Sequence, residues 1–580
     1  MWTFRVWAPD VKSVAVRCLS RDEPLREGAD GWWVGSVADA AAGTDYCFAV
    51  DGGAHLPDPR SPWQPEGVDG PSRIVDQSSF QWTDDRWQPG PLSAAIIYEV
   101  HIGTFTPAGT FDSTIERLDY LKQLGVTHVE LMPVNEFSGE WGWGYDGVDL
   151  YAPHHIYGGP EALKRLVDAC HARGLAAILD VVYNHLGPTG NYLSQFGPYF
   201  TKKHATPWGE AVNLDGESST EVRRFFCDNA LMWLRDYHFD GLRLDAVHAL
   251  IDSSAVHFLE QLATEVDALE ASAGRHKFLI AESDLNEPRV VRPREAGGYG
   301  LAAQWSDDLH HAIHSVVTGE TAGYYEDFGG MDQVAKAVRD VFVYDGTYSK
   351  HRGRVHGRPA GGLSRTHFLG YIQTHDQVGN RAQGERITSL TSLGRAKIAA
   401  AIYLMSPFIP MIFMGEEFGA STPFQYFTHH GEPELAKAVS EGRRKEFARF
   451  GWKPEDVPDP QDPQTFQRSK LQWNELEEPP HRELLDWYQA LIKLRRSTPS
   501  LAAGGPTAVS CGAEWLRIDR GEVVVYCNVG KQSREFRLDT PSSRILLASG
   551  EGATLSASKL TVPADSVILV NTHVANDLTR

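Results

Sequence analysis

Two acidic residues stand where apolar runs end, a position that suits nucleophilic and acid–base chemistry. In Leu242-Arg243-Leu244-Asp245-Ala246, an extended backbone puts Arg243 and Asp245 on one face and the two leucines on the other. If the leucines are buried, the charged face either lines a functional cavity or forms a structural ion pair. A guanidinium beside Asp245 favours the ionised carboxylate, which is the form that attacks carbon. Glu282 follows the apolar run Phe278-Leu279-Ile280-Ala281. Partial burial there raises a carboxyl pKa and suits it to donating a proton, although a lone Glu can equally be a helix-start or loop charge. His375-Asp376 follows Phe368 to Gln373, and Asp180, Asn184 and His185 surround the end of Leu175 to Val182. One polar strand end is ordinary, whereas four that carry ionisable groups point to a shared site.

Other chemistries lack their signatures. There is no HExxH, EF-hand loop or tight His/Cys pair, so neither metal nor cofactor is expected. A serine-based mechanism is unsupported, because no GxSxG elbow occurs. A net charge of -21 opposes nucleic acid and anionic membrane as partners but suits a neutral sugar. The six cysteines are scattered without CxxC spacing, and Met1 to Arg5 shows no signal-peptide pattern, so a cytoplasmic chain is expected, as a monomer. Ile398 to Met414 is almost wholly apolar, yet Ser406, Pro407 and Pro410 split it into a helix-like half and a strand-like half rather than a membrane span.

Such groups need a scaffold that gathers strand ends. Strand-like runs at Ile96 to Val100, Val126 to Leu131, Leu175 to Val182, Gly241 to Asp245, Phe278 to Ala281, Phe368 to Gln373 and Phe408 to Met414 alternate with helical stretches. The latter include Thr114 to Leu124, Pro160 to Ala172, Glu221 to Tyr237, Ala255 to Leu269 and Met331 to Val341. With a weak sixth strand near Ala302 to Trp305, the pattern is an α/β (β/α)8 TIM barrel with long loops, whose reactive groups gather at the strand C-termini. A doubly wound sheet is the alternative, but no glycine-rich dinucleotide loop follows the first strand. Residues 1–90 alternate apolar and polar in short runs broken by Gly/Asp turns, as in a β-sandwich, and Pro57 to Pro71 leads onward. The barrel is expected over 91–500, with an excursion at about 186–220, and a closing β-sandwich over 501–580.

Four short motifs occur in order at these strand ends: Asp180-Val-Val-Tyr-Asn-His185, Gly241-Leu-Arg-Leu-Asp-Ala-Val-His248, Ala281-Glu-Ser-Asp284 and Thr374-His-Asp-Gln377. Together they resemble the α-amylase family of retaining glycoside hydrolases and transglycosylases. The resemblance implies that Asp245 is the nucleophile, Glu282 the acid/base and Asp376 a third carboxylate that binds sugar hydroxyls. It implies further that Arg243 orients Asp245, that His185 and His375 bond the reacting glucose, and that Tyr145 of Gly142-Trp-Gly-Tyr-Asp146 stacks under that ring. Asp180, His248 and Gln377, from the same motifs, join them as substrate-binding candidates. Asn184 matches a calcium-binding residue of many α-amylases, but Leu186 to Asp215 holds no matching cage, and no required metal is expected.

The likeness narrows within the family. Phe4-Arg-Val-Trp-Ala-Pro9, Pro57-Asp-Pro-Arg-Ser61 and Tyr98-Glu-Val-His-Ile-Gly-Thr-Phe105 resemble branching and debranching members. Gln304 to His311, His375 to Arg381, and Gly442 to Phe447 with Ser469 to Trp473 resemble members that release trehalose from maltooligosyl trehalose. That implies a leaving-group site for trehalose, with Trp208, Asp307, Asp308, His310, His311, Asn380 and Arg381 as candidates on loops after barrel strands; Trp208 could equally be core. A glycogen branching enzyme is the competing reading, and Gln377 stands where branching enzymes usually carry Glu.

Overall fold

The computed structural model describes residues 1–448, 452–538 and 543–572. Eight parallel strands close into a barrel: β1 (Ile97–Val100), β2 (His128–Leu131), β3 (Ala176–Val181), β4 (Gly241–Leu244), β5 (Phe278–Ala281), β6 (Ala303–Trp305), β7 (Phe368–Gly370) and β8 (Ile409–Phe413), with β8 pairing back to β1. Every residue of these strands is buried, which explains why they read as apolar runs rather than alternating ones. The ring of helices comprises α1 (Leu118–Leu124), α2 (Gly159–Ala172), α3 (Ser219–Arg235), α4 (Phe258–Ala273), α5 (Asp307–Thr318), α6 (Met331–Asp340), α7 (Leu393–Met405) and α8 (His481–Ser497). Between β5 and β6 lie only 3₁₀ turns, Pro288–Val290 and Arg294–Ala296.

Several expected elements come out shorter or divided. The helix expected over Thr114 to Leu124 is split into Phe111–Ile115, which begins with a Thr110 capping box, and α1. Strand β7 ends at Gly370 rather than Gln373, and Thr374 then caps the short helix His375–Gly379. Strand β4 ends at Leu244, so Asp245 lies one residue past it, although its backbone N–H still donates to Val181 at 3.1 Å. The apolar run 398–414 divides as expected, into the end of α7 and all of β8. Among the described residues no helix is long and apolar enough to cross a membrane.

Two sheets precede the barrel. One joins Trp2–Trp7, Trp32–Val37 and Arg26–Glu27; the other joins Arg21–Pro24, Val14–Cys18, Asp45–Val50 and His55–Leu56. Phe4 of the first packs on Tyr46 of the second, with ring centroids 4.9 Å apart. This pair of sheets is fastened to the barrel by Trp32 Nε1 donating to Glu221 (3.1 Å) and Arg60 donating to Asp228 (2.8 Å). A further anchor is the buried Asp84, which accepts from His171 (2.8 Å), His238 (2.9 Å) and Arg275 (3.0 Å). After α8 the chain forms a five-stranded and a three-stranded antiparallel sheet, which enclose Val524, Tyr526, Leu560, Val562 and Ile568.

Candidate active site

At the C-terminal mouth of the barrel a cleft of about 450 Å³ is lined by Asp245, Glu282, Asp376, Tyr145, His185, His248, His375 and Trp208, all named from sequence. Trp143, Asp146, Asp284, Tyr426 and Thr428 complete much of its wall. Strand alternation delivers the first pair as expected. Arg243, fully buried in β4, lies beneath Asp245, which follows the strand. Its Nη1 donates to Asp245 Oδ1 at 2.8 Å and to both oxygens of Asp180 at 2.9 and 2.8 Å. Nη2 lies 3.8 Å from Glu282 Oε2, and the guanidinium carbon sits 4.3 Å from the centroid of the Trp305 ring. One cation therefore serves three carboxyl groups. Asn184 fixes Asp245 from the other side, donating to its Oδ2 at 2.7 Å and to its carbonyl at 3.0 Å.

Glu282 has a different environment. Burial pushes its carboxyl well above the usual range; Arg243 opposes that, while Asp245, Asp307 and Asp376 add to it. Its Oε2 accepts the N–H of Ala246 at 2.6 Å. That N–H is aimed by an unusual backbone: Ala246 adopts φ 40°, ψ 51°, in the left-handed region that non-glycine residues rarely visit. The pair thus consists of one carboxyl bonded to a fixed cation and one held protonated, which is the division of labour that two-carboxylate catalysis requires.

A second chain of contacts sets His375. Its backbone N–H donates to Glu99 Oε2 at 3.0 Å, its Nδ1 to Glu99 Oε1 at 2.5 Å, and its Nε2 to the Tyr145 hydroxyl at 2.8 Å. Tyr145 O–H in turn donates to Asp180 at 2.6 Å. Burial alone would lower the His375 pKa, but Glu99 and Asp376 outweigh it and raise it to about 9. His375 is consequently an imidazolium with both ring N–H groups used. Asp180 is pushed up by burial to about 6, against the pull of Arg243, and it sits below the cleft rather than in its wall.

The leaving-group candidates divide. Trp208 is not core: it stands at the tip of the hairpin Phe200–Thr206/Gly209–Val212, 49% exposed, stacked at 4.7 Å on His185. Asp307 accepts from the Tyr371 hydroxyl (2.6 Å) and Gln377 Nε2 (3.4 Å), and burial raises it to about 7. Asn380 donates to Asp376 Oδ1 at 3.1 Å. Of the seven candidates Trp208 alone lines the cleft, and Asp307, Asp308, His310 and His311 belong to α5 rather than to a loop. Asp308 is buried and accepts from Asn286 and the N–H groups of Val343 and Tyr344. His310 bonds Ile372 O and the Tyr325 hydroxyl, while His311 packs against Tyr324, Tyr325 and Phe328. Arg381 forms a two-pronged pair with Glu320, at 2.8 Å for each contact. These four hold α5 and its surroundings in place.

Glu99 escaped the sequence reading, as did Glu130 of β2. Glu130 is buried, with neither carboxyl oxygen hydrogen-bonded, and burial pushes its pKa well up, so it stays neutral. The signal was there: a charged residue inside Ile97-Tyr98-Glu99-Val100 or His128-Val129-Glu130-Leu131 is as anomalous as Arg243 in its own strand. Away from the cleft, Glu136, His154 and His155 place ligand atoms within 4.8 Å of one another. The two histidines already bond the carboxylate, at 3.1 and 2.8 Å, which accounts for the grouping without an ion.

A closed eight-stranded parallel barrel with this carboxylate-lined mouth defines a glycoside hydrolase of the α-amylase class, and the family model for the alpha amylase catalytic domain matches residues 75–205. The malto-oligosyltrehalose trehalohydrolase of Rhizobium sp. (strain M-11) is 50% identical over 97% of this chain and 96% of its own, and that of Arthrobacter ramosus 54% identical over 86% and 87%. In structure, a candidate alpha amylase from Salmonella typhimurium superposes with TM-score 0.90 at 38% identity, covering 98% of this chain and 97% of the other. The chain belongs to the malto-oligosyltrehalose trehalohydrolase family.

Proposed function

We propose that this protein hydrolyses the α-1,4 bond next to the trehalose unit of maltooligosyl trehalose and releases trehalose. The observation that carries the reading is the pairing of Asp245, bonded to Arg243, with Glu282, whose carboxyl lies 3.8 Å from the same guanidinium and is pushed above the usual range by burial. Asp245 attacks the anomeric carbon of the glucose next to trehalose while Glu282 gives its proton to the departing glycosidic oxygen. A glycosyl–Asp245 ester and free trehalose result. Glu282, now a carboxylate, takes a proton from water, whose oxygen displaces Asp245 and frees the glucan with retained configuration. Asp376 offers hydroxyl contacts, and Trp208 with His185 a flat aromatic face. Six free cysteines support a reducing compartment, the cytoplasm.

The test is product analysis on maltopentaosyl trehalose. Trehalose and maltopentaose are expected, with no new α-1,6 linkages. Branched products from amylose would instead establish the transferase reading. Asp245→Asn should lower kcat by about 10⁴-fold while leaving oligosaccharide binding intact, a loss of the size seen when a unit-acting catalytic group is removed.

A further inference from the structure

At the other end of the barrel, where β1, β2 and β3 begin, lies a hollow of about 340 Å³. Its charged lining is Arg495 and Arg496, from the last turn of α8, and no Asp or Glu contributes. The cleft at the mouth is the reverse, walled by carboxylates with no lysine or arginine. Cations suit a helix C-terminus, which explains why arginines stand there but not what they bond. Arg495, 6% exposed, donates to the carbonyls of Leu404, Ser406 (2.9 Å) and Phe408 (2.6 Å), and Arg496 donates to Gly125 O at 3.1 Å. Among the described residues neither is paired with a carboxylate. Arg520, fully buried, is likewise held by carbonyls, those of Met405, Ser500, Ala502 and Pro506. Burial and the charge of Arg520 together push Arg495 down to about 9. A buried cation without a counter-charge is costly, and an anion in the hollow would supply one.

The remaining wall suits an organic body. Trp87 is fixed, stacked on His171 at 4.7 Å with its Nε1 donating to Asp240 at 2.9 Å, and Pro91 and Pro499 extend its apolar surface. Asp240 is itself engaged by His171 at 3.0 Å. Thr127 and His128 add polar atoms, and the buried Nε2 of His128 has no hydrogen-bond partner. The space exceeds what a bare phosphate fills, while a long polyanion would be repelled by the net charge of -21. We propose that this hollow binds a small phosphomonoester, with its phosphate on Arg495 and Arg496 and its body against Trp87 and the two prolines. A phosphate has oxygens enough for two guanidinium forks, and Arg matches it in geometry as well as charge. The hollow lies at the opposite strand ends from Asp245 and Glu282, so its ligand is independent of the reaction proposed above.

The experiment is isothermal titration calorimetry on the full chain in phosphate-free buffer. The probes are inorganic phosphate, glucose 6-phosphate and adenosine monophosphate. At least one ester should bind more tightly than inorganic phosphate, because its body adds apolar burial. The tighter of the two esters tells a sugar phosphate from a nucleotide. Arg495 clamps three carbonyls, and its removal endangers the fold, so two other variants carry the test. Arg496 is exposed and holds a single carbonyl, and Ala94 is exposed at the rim of the hollow. Arg496→Ala should weaken ester binding about tenfold, the loss of one charge-assisted contact. Ala94→Trp fills the hollow and should abolish binding, and both variants should keep the wild-type circular dichroism. No binding of either ester, wild-type affinity in both variants, or inorganic phosphate binding as tightly as the esters would overturn the assignment.

Discussion

Replacing Glu99 with Gln removes one negative charge and almost no volume, so its effect isolates the hold that this carboxylate has on His375. Both Glu99 oxygens are engaged, one by the backbone N–H of His375 and one by Nδ1, and both side chains are buried. Glu99 and Asp376 together raise the imidazole from its ordinary 6.5 to about 9, against a burial effect that lowers it. Without Glu99, burial and the nearby Arg243 dominate, and the pKa should fall from about 9 to 6.5 or below. At 1.36 kcal/mol per pH unit that is about 3 kcal/mol of preference for the imidazolium. At pH 7 His375 would turn neutral, and Nδ1 and Nε2 could no longer both donate. The sign for stability follows from a raised folded pKa: the contribution is fully present below 6.5 and is lost as pH rises through about 9. Protein labelled with ¹³C at histidine Cε1 gives the assay, with the His375 resonance identified by its absence in His375→Asn. Trehalose-release rates across pH 5 to 10 should narrow on the alkaline side in parallel. A His375 resonance that still titrates near 9 in Glu99→Gln would refute the reasoning.

Other outcomes follow from the same contacts. Asp84→Asn leaves His171, His238 and Arg275 without their shared carboxylate, and should cost about 3–5 kcal/mol in urea unfolding, as broken buried ion pairs do. Asp84 and Asp240 are held below the usual carboxylate range, so their contribution is present above about pH 4 and lost as pH falls further; an unfolding midpoint flat from pH 6 down to 2 would count against it. Arg243→Lys keeps the charge but loses the planar group over Trp305 and the second nitrogen that faces Glu282, so kcat should drop by about 10²–10³-fold with the fold intact. A loss smaller than threefold would show that charge alone suffices. Ala246→Val puts a β-branched residue at φ 40° and should destabilise by about 2 kcal/mol while disturbing the N–H donated to Glu282; an unchanged melting temperature would argue against strain there.

The barrel was legible because its strands are buried on both faces, so each appears as an unbroken apolar run ending in something polar. The same property hid other parts. Strand β7 reads as six residues in Phe368 to Gln373, yet the ladder stops at Gly370; Tyr371 and Ile372 are buried against Trp305 of β6 and against Asp307 and His310 of α5 rather than by pairing. Asp308 and His310 share the sequence neighbourhood of Asp307 but point elsewhere, since α5 starts at Asp307 and a helix turns successive side chains by about 100°. Arg381 looked like a ligand group until Glu320, 61 residues upstream, supplied its partner. Trp208 was ambiguous because an indole at a hairpin tip and an indole in a core have the same one-letter record; only the tertiary position shows its exposure.

The charges at the barrel mouth explain why these residues occur as a set. Two cations, Arg243 and His375, face at least five carboxyl groups: Asp180, Asp245, Glu99, Asp376 and Glu282. Two cations cannot neutralise five anions in a buried site, so some carboxyls must keep their protons. Geometry decides which. Asp245 has a direct 2.8 Å bond to Arg243 and a second donor in Asn184, whereas Glu282 is 3.8 Å from the guanidinium and has only the Ala246 N–H. The proton therefore stays on Glu282, the group proposed above as the acid. Glu130, with no partner at all, holds another and adds no charge to the cluster. Converting it to an anion would add a further negative charge close to Glu99 and Asp180. For that reason Glu130→Gln should preserve activity, whereas Glu130→Lys, a third cation, should draw the proton from Glu282 and shift the alkaline limb of kcat to lower pH. An alkaline limb unmoved in a folded Glu130→Lys protein would show that the balance is set locally at Arg243 and not by the cluster as a whole.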